Sequence, residues 1–367
     1  MLKFTKNKNY LCINKNRSLL MPSRGKTISA VSGLLLLTYV ICCRFFTPLA
    51  EFYSLHCYPL ISAALSLAAS VFPFSLEEIA VLFFVFVYIF LTVKAFRKEF
   101  GFFGWLGRML LTTVWLIVWI YMGWGNNYFR LPLYERAGVE RSHFQKQDFL
   151  RFLDDYTAGL DSVAGAVSAM DAEMLRHDIR DYYNSCVAAC GYAPLRSWQK
   201  EKRPLLNPLY SAVGVMGFVG PFFCESQVNL DLPPEVFTGT LAHEMAHLTG
   251  VTSEAEANYW AWEYCSHSED EGVRYSGCLF LLPYVLVNAG ALLDEAEYGE
   301  LLGRINPEAI RDYKDFRKAF DARRVGLLDK IQTWMMDMFL KSNRVSSGAS
   351  DYVGVIGMIM TMDYGIS

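Results

Sequence analysis

The stretch His243-Glu244-Met245-Ala246-His247, followed by Gly250 and then by Ser253-Glu254-Ala255-Glu256-Ala257-Asn258, holds most of what this chain discloses. On a helix, residues i and i+4 share a face, so His243 and His247 can grip one metal ion while Glu244 lies beside it. Neutral imidazoles suit zinc, and the neighbouring carboxylate can take a proton from a water that the metal acidifies. The chain has only six histidines, and two of them fall at this ligand spacing. A solvated helix face bearing two histidines is the plain alternative. The acidic cluster downstream tilts the reading toward a catalytic site, because it supplies a third ligand and leaves one position open for water.

The identity of that third ligand depends on how the chain turns. Gly250 can end the first helix in a left-handed cap. Val251-Thr252 then turns the chain, and Ser253 reads as the N-cap of a second helix. Ser253-x-x-Glu256 fits a capping box, which gives Glu256 a structural task and leaves Glu254 free to face the metal. Glu254 is therefore the expected ligand and Glu256 the alternative, since spacing alone does not set side-chain direction. Asn258, one turn beyond Glu254, is a candidate for orienting a ligating imidazole, with an ordinary surface amide as the other reading.

Outward from this segment, the 367 residues are 53% hydrophobic with a net charge of −3. No basic stripe stands out in the second half, which argues against nucleic acid as a partner. Apolar residues concentrate at the front. Residues 1–26 form a basic tail with Lys3, Lys6, Lys8, Lys15, Arg17, Arg24 and Lys26 and no acid. An apolar run from Thr27 to about Phe46 follows, and no small-x-small cleavage site comes after it, so it reads as a signal anchor. Two more runs span about Ile79–Phe96 and Phe103–Trp124.

Lys94, Arg97, Lys98 and Arg108 lie between the last two runs, whereas the 48–78 loop carries no Lys or Arg. The positive-inside rule then puts the N-terminus and the 94–108 loop in the cytoplasm. Residues 27–125 thus read as a membrane anchor of three transmembrane helices, with Tyr58–Phe72 as an interfacial helix. Residues 126–367 follow as one domain on the extracytoplasmic side.

That domain reads as mainly α. Helices are expected over Phe149–Tyr156, Ser168–Asn184, Pro234–Leu248, Glu254–Ser266 and the charged stretch Pro307–Leu340, with a short strand or two in Leu205–Leu230. Such a small β element can align an extended peptide by strand addition. Tyr275–Leu293 is almost wholly apolar but interrupted by Pro283 and Asn288, and reads as a buried helix under the site rather than a further span. Nine cysteines are present. Cys186 and Cys190, four apart, are read as packing residues ahead of a metal pair or a link, and Cys224, Cys265 and Cys278 form no tidy disulfide framework.

Several phrases together carry a resemblance: Phe72-Pro73-Phe74-Ser75, Trp124-Gly125-Asn126-Asn127-Tyr128-Phe129-Arg130, Gly220-Pro221-Phe222-Phe223-Cys224-Glu225, Val228-Asn229, the HEMAH segment with Gly250, Glu254-x-Glu256-Ala257-Asn258, Arg274-Tyr275-Ser276-Gly277, and Phe339-Leu340-Lys341-Ser342-Asn343. The chain resembles a bacterial family of polytopic membrane proteins known as domain of unknown function 3810, whose members carry a zincin-type HExxH. The resemblance implies a zincin-like domain behind a membrane anchor and a metallopeptidase activity, without a substrate. The Glu-x-x-Ala-Asn phrase is also similar to the gluzincin phrase whose first Glu binds zinc, which implies Glu254. The gap to HExxH is shorter here than in gluzincins, and the metzincin ligand position falls on Ser253, a poor zinc ligand.

The expected chemistry is hydrolysis of peptides or cell-envelope proteins with Zn2+ held by His243, His247 and Glu254 and with Glu244 as general base. Tyr275, then Arg274, are the candidates for an oxyanion donor, against plain structural roles. Glu225 and Asn229 are candidates for lining the cleft, or for capping loops. A catalytically silent zinc protein with a sensory or scaffolding role is the alternative. An intramembrane protease is disfavoured by the polar surroundings of His243, including Asn229, Asp231, Glu235, Thr238 and Thr240.

Overall fold

A computed structural model describes residues 24–140 and 144–362, so the basic tail falls outside the described residues except for its last positions. Four apolar helices come first: α1 (Arg24–Phe45), α2 (Thr47–Ser70), α3 (Leu76–Phe96) and α4 (Phe102–Gly123). Helices α1, α3 and α4 coincide with the three apolar runs. Their outward faces show large apolar side chains such as Leu35, Phe83, Phe86 and Leu110. Contiguous apolar surface of this kind, on helices long enough to cross a bilayer, indicates membrane association.

Helix α2 begins earlier than the expected Tyr58–Phe72 segment and includes one π-helical turn at Tyr53–Cys57. Near its start, Glu51 accepts from the Arg130 guanidinium (3.1 Å) and the Leu131 N–H (2.7 Å). Near its end, Ser66 accepts from Trp198 (3.1 Å) and the Ala69 carbonyl accepts from Lys202 (3.0 Å). Both ends touch the same following domain, so α2 runs along its base rather than away from it.

The domain contains α5 (Lys146–Val163), α6 (Ala172–Cys186), β1 (Gly217–Gly220), β2 (Glu225–Val228), α7 (Pro234–Leu248), α8 (Glu254–Ser266), α9 (Glu271–Leu292), α10 (Glu295–Arg304), α11 (Pro307–Asp321), α12 (Gly326–Ser342) and α13 (Val355–Met362). The strands form an antiparallel hairpin with Gly217 opposite Val228 and Gly220 opposite Glu225. Helices α7 and α8 match the residues read from the sequence. Helices α5 and α6 are displaced or extended by a few residues. The charged stretch Pro307–Leu340 is helical as expected and is divided into two helices, α11 and α12. Val325 breaks it with extended backbone and donates its N–H to the Ala212 carbonyl at 2.8 Å.

Helix α7 is the centre of the core. It is buried from Thr238 to Leu248 and packs against α8, α9 and the hairpin. Helix α9 is also long and apolar enough to span a membrane, yet 56% of its most apolar window is buried, against 17% or less for α1, α3 and α4. Tyr275, Cys278, Leu281, Leu282 and Val285 are in that buried part, which makes α9 an interior helix of the domain.

The hairpin turn joins the two halves of the molecule. The Glu225 carboxylate accepts from the N–H groups of Leu76 (2.8 Å) and Glu77 (3.1 Å), satisfying orphan donors in the first turn of α3. Glu77 in return accepts from the N–H groups of Phe222 (3.1 Å) and Phe223 (3.2 Å), while Trp119 of α4 donates to the Phe222 carbonyl at 2.9 Å. Among the described residues all cysteines are free thiols, and Cys12 lies outside them.

Candidate metal centre

Pro234 in the first turn of α7 presets helical backbone, and the helix ends at Thr249 with Gly250 beyond it at φ +100°. The left-handed conformation expected at Gly250 is therefore present. It reverses the chain within a few residues and returns Glu254 over the last turn of α7. Ser253 caps α8 by accepting from the Glu256 N–H at 3.3 Å. A second cap arrives from far along the chain. Asp351 accepts from the Ser253 hydroxyl (2.8 Å) and from the N–H groups of Glu254 (3.0 Å) and Ala255 (3.3 Å).

These caps hold Glu254 against the two histidines. Its Oε2 lies 3.3 Å from His243 Nε2 and 3.4 Å from His247 Nε2, and the two Nε2 atoms are 3.1 Å apart. All three side chains are buried, and their donor atoms lie within 4.8 Å of one another. His247 donates its Nδ1–H to the Val251 carbonyl at 2.9 Å, which fixes the tautomer and leaves Nε2 to face Glu254. Trp124, just past α4, donates its indole N–H to the His247 carbonyl at 3.0 Å, and Tyr58 of α2 donates to the Leu248 carbonyl at 2.8 Å. The buried Asn258 lines the same cleft as His243 and Tyr284.

Glu256 points elsewhere. Its carboxylate accepts from the Leu133 N–H (3.0 Å), pairs with Arg136 (3.2 Å) and accepts from the Tyr192 hydroxyl. The expected capping box is thus half formed. Ser253 serves the Glu256 N–H, but the Glu256 side chain bonds to another segment instead of returning to the cap.

Four further expectations find their residues outside the site. The Tyr275 hydroxyl donates to Asp312 at 2.6 Å, on the far side of α9, because the packing of α9 against α7 turns that face away. Arg274 donates to the carbonyls of Ser268 (2.7 Å) and Glu269 (3.0 Å) and closes the loop after α8. Glu225 caps α3, as described above. Asn229 bonds to Ser211 (3.0 Å) and the Val215 carbonyl (2.9 Å) and shapes the loop before β1. None of the four lines the cleft beside His243.

That cleft has a volume of about 700 Å³ and is bounded by His243 and Glu244 of α7, the Val215–Phe218 edge of the hairpin, Phe280 and Tyr284 of α9, and one side of α12. Glu244 sits at its floor with Oε2 buried and unpartnered. Gly217 comes so close to this carboxylate that a Cβ there would sit 2.6 Å from its Cδ carbon. Arg324, which pairs with Asp321 (3.2 Å) and Asp329 (2.5 Å), lines the wall.

Burial raises the Glu244 carboxyl to about 8, with the Glu254 charge adding to the effect and the His247 charge opposing it. Burial works against a charged His247, yet the Glu254 carboxylate outweighs it and lifts this ring to about 9. Glu254 is held well below the usual carboxylate range, because the His247 charge and hydrogen bonds from both imidazoles exceed the cost of its burial. His243 is lowered, chiefly by burial, with the His247 charge adding to it against the attraction of the Glu254 carboxylate.

Asp351 and Gly217 carried no local signal in the sequence, because each acts through a contact made only in the fold. Trp124 stood in one of the phrases that carry the resemblance, without a role attached to it. A family model described as protein of unknown function (DUF3810) matches residues 53–360. No curated protein and no solved structure matches the chain.

Proposed function

The chain belongs to the DUF3810 family, described as proteins of unknown function, and from its own site we propose that it is a membrane-anchored zinc metallopeptidase. The observation that carries this reading is the convergence of His243, His247 and Glu254 within 4.8 Å beside a buried, unpartnered Glu244. Two imidazoles and one carboxylate are the donor set of zinc hydrolases that keep a position open. Zinc, when bound, supplies Lewis acidity that lowers the pKa of a water and polarises a carbonyl.

The chain's own residues do the rest. Glu244 receives the proton of the attacking water and can pass it to the leaving amine. Its tendency to hold a proton when buried suits a group that must both take and return one. His243, His247 and Glu254 would hold the ion, with Val251 keeping the His247 ring in place. Lys202 bridges the outer side of β2 at Gln227, so β1 presents its edge to the cleft. An extended peptide would find backbone partners there beside Glu244. In this reading α1, α3 and α4 cross the membrane and the domain lies on the extracytoplasmic face, as the distribution of Lys and Arg implies.

The test is a metal analysis of the full-length protein purified in nanodiscs, with peptide-library cleavage as the second readout. Wild type is expected to hold one zinc and His247→Ala none. Glu244→Gln is expected to retain zinc and lose cleavage. Cleavage undiminished in Glu244→Gln sinks the mechanism, and a zinc-bound wild type with no cleavage of any peptide favours the silent zinc-binding alternative.

A further inference from the structure

Helix α12 is built inside out. Its large apolar residues Leu327, Leu328, Ile331, Trp334, Met335 and Met338 are all exposed, with Leu327 at 69%, Trp334 at 61% and Met335 at 59%. At 100° per residue they fall within an arc of about 120°, one continuous stripe. The opposite side, with Asp329, Gln332 and Thr333, faces the cleft that holds His243 and Glu244. A helix packed on a water-soluble domain has the reverse arrangement, because the apolar stripe is the part that gains by leaving water.

The stripe is continuous with the membrane helices. At the end of α12, Arg44 of α1 donates to the Ser342 carbonyl, and Tyr121 of α4 donates to Asn343 at 2.7 Å. Phe339 packs edge-on against Tyr128, just past α4. The opposite rim of the cleft is apolar as well, with Leu205, Leu206 and Leu209 exposed. That rim is tied to α3, where Glu78 accepts from the N–H groups of Leu205 (2.5 Å) and Leu206 (3.0 Å). Val81 of α3 reaches into the cleft itself. Both walls of the opening are therefore fastened to the ends of helices that have apolar outer faces.

We propose that the outward stripe of α12 is embedded in the interfacial layer of the bilayer, so that the cleft opens at the membrane surface and receives polypeptide held there by a lipid or membrane anchor. The occupant of the stripe is membrane lipid. Its area is apolar without a basic cluster, so insertion of side chains rather than charge attraction supplies the affinity. Trp334 has the amphipathic ring that favours this depth. The placement of α12 is independent of any activity, whereas the choice of substrate rests on the peptidase reading.

The full-length protein is reconstituted in phosphatidylcholine vesicles with the photoreactive residue benzoylphenylalanine replacing Ile331, Met335 or Met338 in turn. Lipid adducts are scored by mass spectrometry, which needs neither zinc nor turnover. Adducts at all three positions and at a control in α3 (Phe86), with none at Arg311 of α11, are expected. Adducts at Phe86 alone overturn the proposal, and adducts to a second protein chain overturn it in favour of a dimer contact. In the second arm one peptide is offered free and with an acyl anchor, and the anchored form should be cut about tenfold faster or more through its raised local concentration. Equal cleavage of the two overturns the substrate assignment. Cleavage of neither removes the peptidase reading and leaves the adduct result standing.

Discussion

The indole N–H of Trp124 donates to the carbonyl of His247 at 3.0 Å, so a residue just past the last membrane helix holds the last turn of the helix that carries both imidazoles. The two rings also meet edge to face at 5.9 Å. The N-terminal apolar helices and the candidate metal centre are thus one packed unit rather than two bodies on a tether. Trp124→Phe keeps most of the packing and removes one of the donors to the His247 carbonyl, leaving it the Gly250 N–H (3.0 Å). The expected loss is about 1–2 kcal/mol of stability, read as a lower melting temperature, with zinc still bound. An unchanged melting temperature would show that the contact does not couple the two parts.

Glu254 and Glu256 are two residues apart and should behave oppositely. Glu254→Gln is expected to abolish stoichiometric zinc, because the amide removes the anionic donor of the set. Glu256→Gln is expected to keep zinc and lose about 2–4 kcal/mol, since Arg136 is left buried beside a neutral side chain. Metal content and thermal melts of the two variants separate these roles. Zinc lost from Glu256→Gln and kept in Glu254→Gln would reverse the assignment.

Proton linkage offers a test that needs no substrate. His247 is raised to about 9 and Glu254 is lowered, so zinc, if it binds here as proposed, is expected to displace a proton from His247 at neutral pH. Zinc uptake at pH 7 is expected to release about one proton, and affinity should rise with pH until about 9. The stability that His247 contributes to the metal-free protein is present below its ordinary value of 6.5 and disappears as pH rises through about 9. The contribution of Glu254 is present above its ordinary value of 4.5 and disappears as pH falls through its depressed one. Calorimetry in buffers of different ionisation heat reads the proton count, and a count of zero refutes the linkage.

Glu244 shifts stability in the same direction as His247 and opposite to Glu254. Its carboxyl is raised from 4.5 to about 8, so it binds more protons folded than unfolded, and metal-free stability should fall as pH climbs across that window. Glu244→Gln should flatten this fall, hold zinc and reduce turnover by about a hundredfold or more. A wild type and a variant with parallel stability profiles between pH 5 and 8 would refute the buried, partner-free setting of this carboxyl.

Gly217 tests the closeness of β1 to the base. Alanine there would push on the Glu244 carboxylate, since the added carbon would lie 2.6 Å from its Cδ. Zinc content should be unchanged and turnover sharply lower, because Glu244 rather than a ligand is displaced. Full activity in Gly217→Ala would show that the strand edge yields freely.

Some of this could be read from the chain because the relevant physics is local. The spacing of His243 and His247 is a property of one helical turn, and the bounds of α7 and α8 follow from Pro234, Gly250 and Ser253. The apolar runs of α1, α3 and α4 are legible for the same reason, since length and hydropathy suffice to mark them. Tyr275 was misjudged as a site residue because its spacing says nothing about which face of α9 meets α7. The stretch from Pro307 to Leu340 read as helical without an internal boundary, and the break at Val325 is fixed by its N–H donating to the Ala212 carbonyl, a contact made only in the fold.

Residue order alone therefore marked the candidate donors, the candidate base and the long apolar helices, each encoded within a few turns of backbone. Which carboxylate faces the imidazoles emerged only on folding. The cap that seats Glu254 comes from Asp351, 97 residues away, and Glu256 is drawn off by Arg136 from the other direction. The outward stripe of α12 belongs to the same class. Its amphipathic pattern is visible in the sequence, but the side that is covered depends on neighbours the chain meets only once it is packed.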